Sequence, residues 1–421
     1  MDQTDRQSTD SLPLSGIRVL ELGNYIAAPT AGRLFADFGA EVIKVERPGT
    51  GDELRQWRLQ GGTTSMLWRT MNRNKKAITL NLRSDEGKRI ALDLVRTCDV
   101  VIENFRPGTL ERWGIGPDVL ETTRPGVILI RISGYGQTGP YRDRPGFGSV
   151  AEAMGGLRLL TGDPDRPPAR VGISLADTIS GMYAVIGALM ILLQRARNGE
   201  TAGTGPALRD EKPAIVDVAL YESVLSMMES LLPDFDAHGV VRQRTGGRLE
   251  GIAPSNTYLC ADDTWVIIGG NGDAIFLRLM EVIGRPDLAA DPTLARNPGR
   301  WQRRDELDDA ITAWTRQHTS DEVLGTLDAA GVPSGPIYDA EGIRDDPHFQ
   351  ARGMVQRVAA TDGERDLGEI AFPGVVPRLG DDPGAIRWLG PDLGQHNEEI
   401  YGELLGLDAE TRAALHASGI I

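Results

Sequence analysis

The chain has 421 residues, 40% apolar and 25% charged, the balance of a globular protein long enough for two domains with substantial cores. Its formal net charge of -15 argues against general nucleic-acid or membrane-surface binding, although a local basic cluster can still hold an anion. Cys98 and Cys260 lie far apart and the five histidines form no ligand motif, so no metal and no disulfide framework are expected, and a reducing cytoplasm fits.

Residues 1–13 are polar and acidic without an apolar core, which predicts a disordered tail and not a signal peptide. Ile17–Leu22 reads as a strand, followed by a glycine and a helix through Ala31 to Phe38. Glu41–Glu46 is the next strand. A helix over Asp85–Arg96 leads into strand Asp99–Glu103, and Val127–Ile132 supplies another. Apolar strands alternating with helices predict an α/β fold with a Rossmann-like parallel sheet covered on both faces. The first strand–helix turn, Gly23–Pro29, lacks the Gly-x-Gly-x-x-Gly pattern, which argues against a nicotinamide or flavin dinucleotide. The most apolar run, Gly181–Leu193, is too short to span a bilayer and predicts a buried helix. Asn198–Pro213 reads as a surface loop, followed by strand Ala214–Leu220 and a helix from Tyr221. Strands Thr257–Cys260 and Trp265–Ile268, with helices near Ala274–Val282, Asp305–Thr315 and Ser320–Ala330, predict a smaller α+β domain. The last eighty residues carry little periodicity.

Asp177 is the most informative residue. It lies in Gly172–Gly181, just ahead of the apolar run, where a carboxylate is favoured by free N–H groups and by the helix dipole. At neutral pH an ordinary aspartate is ionised, so at this helix mouth it is either a cap or a nucleophile.

Seven motifs then occur in order: Leu20–Pro29, Phe38–Asp52, Asn72–Ile78, Val101–Gly108, Gly134–Pro140, the Asp177 segment and Gly331–Pro336. Together they resemble the class III CoA-transferase family, which includes formyl-CoA and carnitine CoA-transferases, from about Leu14 to Glu399. The resemblance implies a large domain begun by 14–224, a small α+β domain with linkers over 225–335, and a C-terminal return to the large domain over 336–421. It also implies an interlocked, ring-like homodimer, with acyl-CoA and a carboxylic acid as substrates and no permanently bound cofactor. By family position Asp177 is the nucleophile, forming an aspartyl-CoA thioester. Ile26 and Ala27 match residues beside the thioester, and Arg47, Leu80, Arg83, Asn104, Phe105 and Arg112 match CoA-contacting positions. Lys75 and Lys76 are added as phosphate contacts by their charge and nearness in sequence. Asn104–Phe105 is favoured by its strand end, where parallel sheets place ligands.

The pattern is departed from in places. Pro145 stands where formyl-CoA transferase has a basic CoA contact, and the stretch before Val216 is about a dozen residues longer than in that enzyme. Gly246, Gly247 and Gly251 lie where that enzyme has a glycine run that closes over the intermediates, so a lid is expected here with altered chemistry. Arg244–Gly247 and Ile252–Tyr258 resemble family members that pass CoA from succinyl-CoA to another dicarboxylate, and Arg244 and Arg248 are candidates for the cationic anchor of its distal carboxylate. Gly269–Gly272 is either a turn and helix cap or part of the acceptor pocket. One alternative is an acyl-CoA racemase of the same superfamily, which needs a second acid/base group. Phe147 stands where the racemases have a histidine and cannot do that work. A non-catalytic CoA-binding homologue is the other alternative.

Overall fold

The computed structural model describes residues 12–61, 64–199, 214–362, 365–380 and 384–421, so most of the expected tail and of the 198–213 loop lie outside the described residues. The chain divides into two compact units, one built from the residues through Gly155, Gly172–Met228 and Pro347–Ile421, the other from Gly156–Val171 and Glu229–Asp346.

The first unit is organised by six strands: β1 (Arg18–Glu21), β2 (Glu41–Glu46), β3 (Lys76–Thr79), β4 (Val100–Glu103), β5 (Ile128–Ser133) and β6 (Ala214–Ala219). They form one sheet in the order β3-β2-β1-β4-β5-β6, with every neighbouring pair parallel. Val19 at its centre pairs with Val42 on one side and Val100 on the other. Such strands are buried on both faces, which is why they read as nearly unbroken apolar runs. The order reverses direction between β1 and β4, and ligands of open α/β sheets sit outside the carboxyl ends of the strands at that switch point.

Helices α1 (Ala27–Asp37) and α2 (Asp85–Val95) follow β1 and β3, the latter capped by the Ser84 hydroxyl on Gly87 N. Three more bear on the site: α3 (Gly148–Met154), α4 (Leu175–Arg197) and α5 (Leu220–Leu225). One face of the sheet buries Leu20, Ile43, Ile78 and Val101 against Ile90 and Leu94 of α2 and against the C-terminal Ile400, Tyr401 and Leu415.

Helix α4 differs from the expected buried helix. It runs for 23 residues, long and apolar enough to cross a bilayer by composition alone. Its inner stripe is made of small residues, Ala176, Ser180, Gly181, Ala184 and Ala188, while Met182, Ile186, Met190 and Leu193 are exposed. The cause is close approach: a Cβ at Gly181 would meet Ala27 O and Thr30 Cβ at 2.7 Å, and one at Gly187 would meet Val216 Cγ1 at 2.6 Å. With α1 and β6 that near, the inward stripe between Ala176 and Ala188 holds no side chain larger than Val185, and the large apolar residues there face outward.

The last seventy-odd residues contain structure that the periodicity does not announce. β10 (Val355–Asp362) and β11 (Arg365–Pro373) form an antiparallel pair, and the chain then returns along β3. Trp388 Nε1 donates to Lys75 O (2.8 Å), Thr79 N donates to Asn397 Oδ1 (3.0 Å), and the Tyr401 hydroxyl donates to Thr79 O (2.6 Å).

In the second unit, β7 (Ser255–Leu259), β8 (Trp265–Gly269) and β9 (Ser334–Pro336) form an antiparallel sheet in the order β9-β8-β7. Its core joins Tyr258, Val266 and Ile268 to Phe276 and Leu279 of α6 (Asp273–Val282), Leu307 and Ile311 of α7 (Arg304–Thr315), and Val323 and Leu327 of α8 (Ser320–Ala329). Gly272 is the residue before α6, so Gly269–Gly272 acts as the turn and helix start.

Candidate active site

A cavity of about 200 Å³ opens at the switch point of the large sheet. Tyr25 and Ala27 after β1, Asn104–Pro107 after β4, Ile132–Gly134 at the end of β5, Arg142, Arg144–Phe147 and Asp177 line it. Ser174 occupies the N-cap position of α4, without a side-chain cap hydrogen bond, and Asp177 lies in the first helical turn. A carboxylate there has the dipole of a long helix in its favour. Gly148 lies against this carboxylate: a Cβ built there would be 2.1 Å from Asp177 Oδ2.

The wall after β1 is held by a buried ionic network. Lys44 is wholly buried, 2.9 Å from Asp52 Oδ2 and 3.3 Å from Glu21 Oε1, and donates to Gly23 O. Burial opposes its charge, but Asp52, Glu21 and Glu46 outweigh that and raise its pKa. Asp52 in turn accepts from Tyr25 N (3.2 Å) and Leu54 N (3.0 Å), so one salt bridge fixes two backbone segments. Tyr25 sits at φ 66°, a left-handed conformation that only such surroundings sustain in a bulky residue.

Asn104 fastens the two strand ends together. Its Oδ1 accepts from Asn24 N (2.9 Å) and its Nδ2 donates to Asn24 O (2.7 Å). The side chain thus holds the loop after β1, while Phe105 packs edge-on against Trp113, with ring centres 5.1 Å apart. Just below, Glu103 accepts from Phe105 N (2.7 Å) and from Arg131 Nε (2.7 Å), and Arg131 also reaches Glu111 (2.8 Å). Burial pushes the Glu103 carboxyl up to about 7, against the pull of Arg131.

The structure brings Asp177, Ala27, Asn104 and Phe105 together and corrects other expectations. Lys75 is no phosphate contact: it is wholly buried and donates to Glu21 Oε2 (2.7 Å), Pro29 O (2.9 Å) and Asn72 Oδ1 (2.9 Å). Burial lowers its pKa to about 8. Lys76 is likewise engaged, with Glu41 and Glu399 each at 2.6 Å. Leu80 puts its side chain into the core while its N–H donates to Glu46 O (2.8 Å) and its carbonyl accepts from Leu82 N (3.2 Å), and Ile26 packs with Leu54, Trp68 and Met71. Arg47, Arg83 and Arg112 are exposed, Arg47 paired with Glu53 (2.6 Å) and Arg112 donating to Thr109 Oγ1 (2.8 Å).

The two candidate anchors lie in the second unit and are occupied there. Arg248 is bound to Asp305 (2.8 Å) and Asp308 (2.7 Å), and Asp308 also accepts from Asn256 and the Tyr258 hydroxyl. Arg244 donates to Leu159 O (3.1 Å) and Asp163 O (3.2 Å). Gly246 N donates to Gly162 O (3.1 Å), while Gly247 and Gly251 are exposed. The cavity's cations are instead Arg106, Arg142 and Arg144, the last stacked over Tyr141 at 3.7 Å. Sequence reasoning passed over all three. Arg106 follows Asn104–Phe105 directly, and the Arg142-Asp-Arg144 run precedes Pro145. Among the described residues no group of three or more His, Cys, Asp or Glu is arranged to hold a metal.

The model of CoA-transferase family III matches residues 14–397, and the chain belongs to that family and is a CoA-transferase. Among its relatives, succinyl-CoA--D-citramalate CoA-transferase of Chloroflexus aurantiacus is 49% identical over 412 residues, covering 97% of this chain and 98% of that protein. The beta subunit of succinyl-CoA--L-malate CoA-transferase from the same organism is 39% identical over 420 residues, covering 98% and 99%. The crystal structure of a CAIB/BAIF family protein from Brucella suis superposes with a TM-score of 0.79 at 33% identity, covering 93% of this chain and 99% of that one.

Proposed function

We propose that this enzyme moves CoA from succinyl-CoA to a second dicarboxylic acid, with Asp177 as the acyl acceptor. The observation that carries the reading is the Asp177 carboxylate in the first turn of α4, lining the same cavity as the guanidinium groups of Arg106, Arg142 and Arg144. One Asp177 oxygen attacks the thioester carbonyl, expelling CoA thiolate and forming a mixed anhydride. The thiolate then attacks the aspartyl carbonyl, releasing succinate and leaving an aspartyl-CoA thioester. The acceptor carboxylate attacks that thioester and expels the thiolate again. The thiolate takes the acceptor's acyl carbon and returns Asp177 as a carboxylate. Each step exchanges one acyl bond for another, so neither ATP nor a redox partner is consumed. An anhydride is readily hydrolysed, which calls for exclusion of water during turnover. Gly246, Gly247 and Gly251 are carried in this reading as the lid that supplies it.

The cavity arginines suit both partners of the exchange, since guanidinium pairs with phosphate and carboxylate in the same forked geometry. Relatives named for D-citramalate and L-malate support a dicarboxylate acceptor. The racemase reading is disfavoured because Phe147, which lines the cavity, has no ionisable group. Self-association is part of the proposal as well: the outward Met182, Ile186, Met190 and Leu193 form an apolar face on the helix that bears Asp177. A panel of acyl-CoA donors and dicarboxylic acids, read by mass analysis of the CoA esters formed, tests the activity. Full exchange by Asp177→Ala, or no CoA adduct on the Asp177 peptide, defeats the mechanism. A monomer in light scattering defeats the self-association.

A further inference from the structure

This inference rests on Asp177 being the acyl acceptor and concerns what fixes its pose. Gly148 opens α3, and a Cβ built on it would lie 2.1 Å from Asp177 Oδ2, 3.0 Å from Cγ and 3.5 Å from Oδ1. No methyl group fits there unless something moves. The segment leading into α3 is already seated, because a Cβ on Gly146 would come within 3.1 Å of Gly134 Cα. Helix α4 is seated too: one turn beyond Asp177, Gly181 faces Ala27 O and Thr30 Cβ at 2.7 Å. Backbone is therefore held on both sides, and the group that a Cβ at 148 would displace is the carboxylate at the end of its side chain, which turns on two torsions.

We propose that Gly148 is a positioning residue: by having no side chain it gives the Asp177 carboxylate the space in which it attacks. A side chain at 148 would rotate that carboxylate away while leaving the fold intact. Gly148 has no left-handed φ, so alanine suits its backbone, and it opens a helix, where alanine is favoured over glycine. This separates reactivity from stability at one position. The racemase and transferase readings weigh Phe147 and Asp177, whereas Gly148 is the residue that follows the phenylalanine and begins α3.

The test compares wild type, Gly148→Ala and Asp177→Asn, using succinyl-CoA with a dicarboxylic acid acceptor. A misplacement of about 1 Å at a reacting group costs roughly 100-fold in rate. Gly148→Ala is accordingly expected to lose about 100-fold in kcat, to keep KM for succinyl-CoA within about twofold, and to melt no lower than wild type. Formation of the CoA adduct on the Asp177 peptide should slow by the same factor as kcat. Wild-type kcat in Gly148→Ala, with Asp177→Asn inactive, overturns the positioning role and leaves the nucleophile standing. Turnover by Asp177→Asn removes the nucleophile, and this inference with it. A Gly148→Ala protein that fails to fold also overturns the proposal, because backbone and not carboxylate would then have yielded.

Discussion

Lys44→Met is the most demanding test of the network under the cavity wall. The lysine lies between two carboxylates, at 2.9 Å from Asp52 and 3.3 Å from Glu21, with all three side chains wholly buried. Removing one member of a buried ion pair costs about 3–5 kcal/mol, since the remaining charge keeps its desolvation penalty without its partner. Glu21 retains Lys75 at 2.7 Å, so the orphaned charge is that of Asp52. Asn at 52 removes that charge yet keeps an oxygen for Tyr25 N and Leu54 N. The Lys44→Met, Asp52→Asn double variant should thus recover about 2 kcal/mol relative to the sum of the single changes, a coupling within the range for residues in contact. Hydrogen exchange of peptides covering residues 18–46 reads the local stability directly. A single-variant loss below about 1 kcal/mol, or strict additivity in the double variant, refutes the network as the support of this wall.

Lys75 gives a pH signature of opposite sense to the usual ion pair. Its folded pKa is about 8 against an ordinary 10.5, so between these values the unfolded chain binds the proton that the folded chain has released. Wild-type stability should therefore rise relative to Lys75→Met between pH 8 and 10, by roughly 2–3 kcal/mol, in paired urea titrations; a flat or falling difference contradicts it. Glu103→Gln mimics the protonated carboxyl, so its KM for acyl-CoA should be independent of pH and match the wild-type value on the acid side of about 7, as steady-state profiles will show. Asn104→Ala leaves Asn24 N–H and C=O without their partners, and should raise KM for acyl-CoA about tenfold while costing roughly 1–3 kcal/mol in thermal unfolding.

The strands of the large sheet were readable because most of their buried positions are apolar, Val19, Leu20, Val101 and Ile130 among them, although the buried Lys44, Glu103 and Arg131 lie in the same sheet. Helix α4 misled because apolar content reports the desire for burial and not what a single chain can cover. Its interior stripe is small, and its large residues face out. Lys75 misled for a different reason. A lysine near other basic residues looks like a phosphate ligand, whereas its partner Glu21 is 54 positions away and only the fold brings them together. The β10–β11 pair had a local signal that went unused, the Asp362-Gly363 dipeptide between two short apolar-polar runs. Gly148 had none, because a glycine that makes room for a side chain 29 positions later looks like any other.

The return of the chain along β3 has a consequence for assembly during synthesis. Asn74 N donates to Trp388 O, Thr79 holds Asn397 and Tyr401, and Asn81 N donates to Ile420 O (2.8 Å). The rim of the sheet beside β3 therefore stays unpartnered while more than three hundred further residues are made. For that interval it offers a bare row of backbone groups to any passing strand. A chain ending before residue 388 would lack these partners along β3 and also the Pro391 carbonyl that Arg55 and Trp68 hold, so the flank of the sheet and the network beside the cavity are completed by the same late segment.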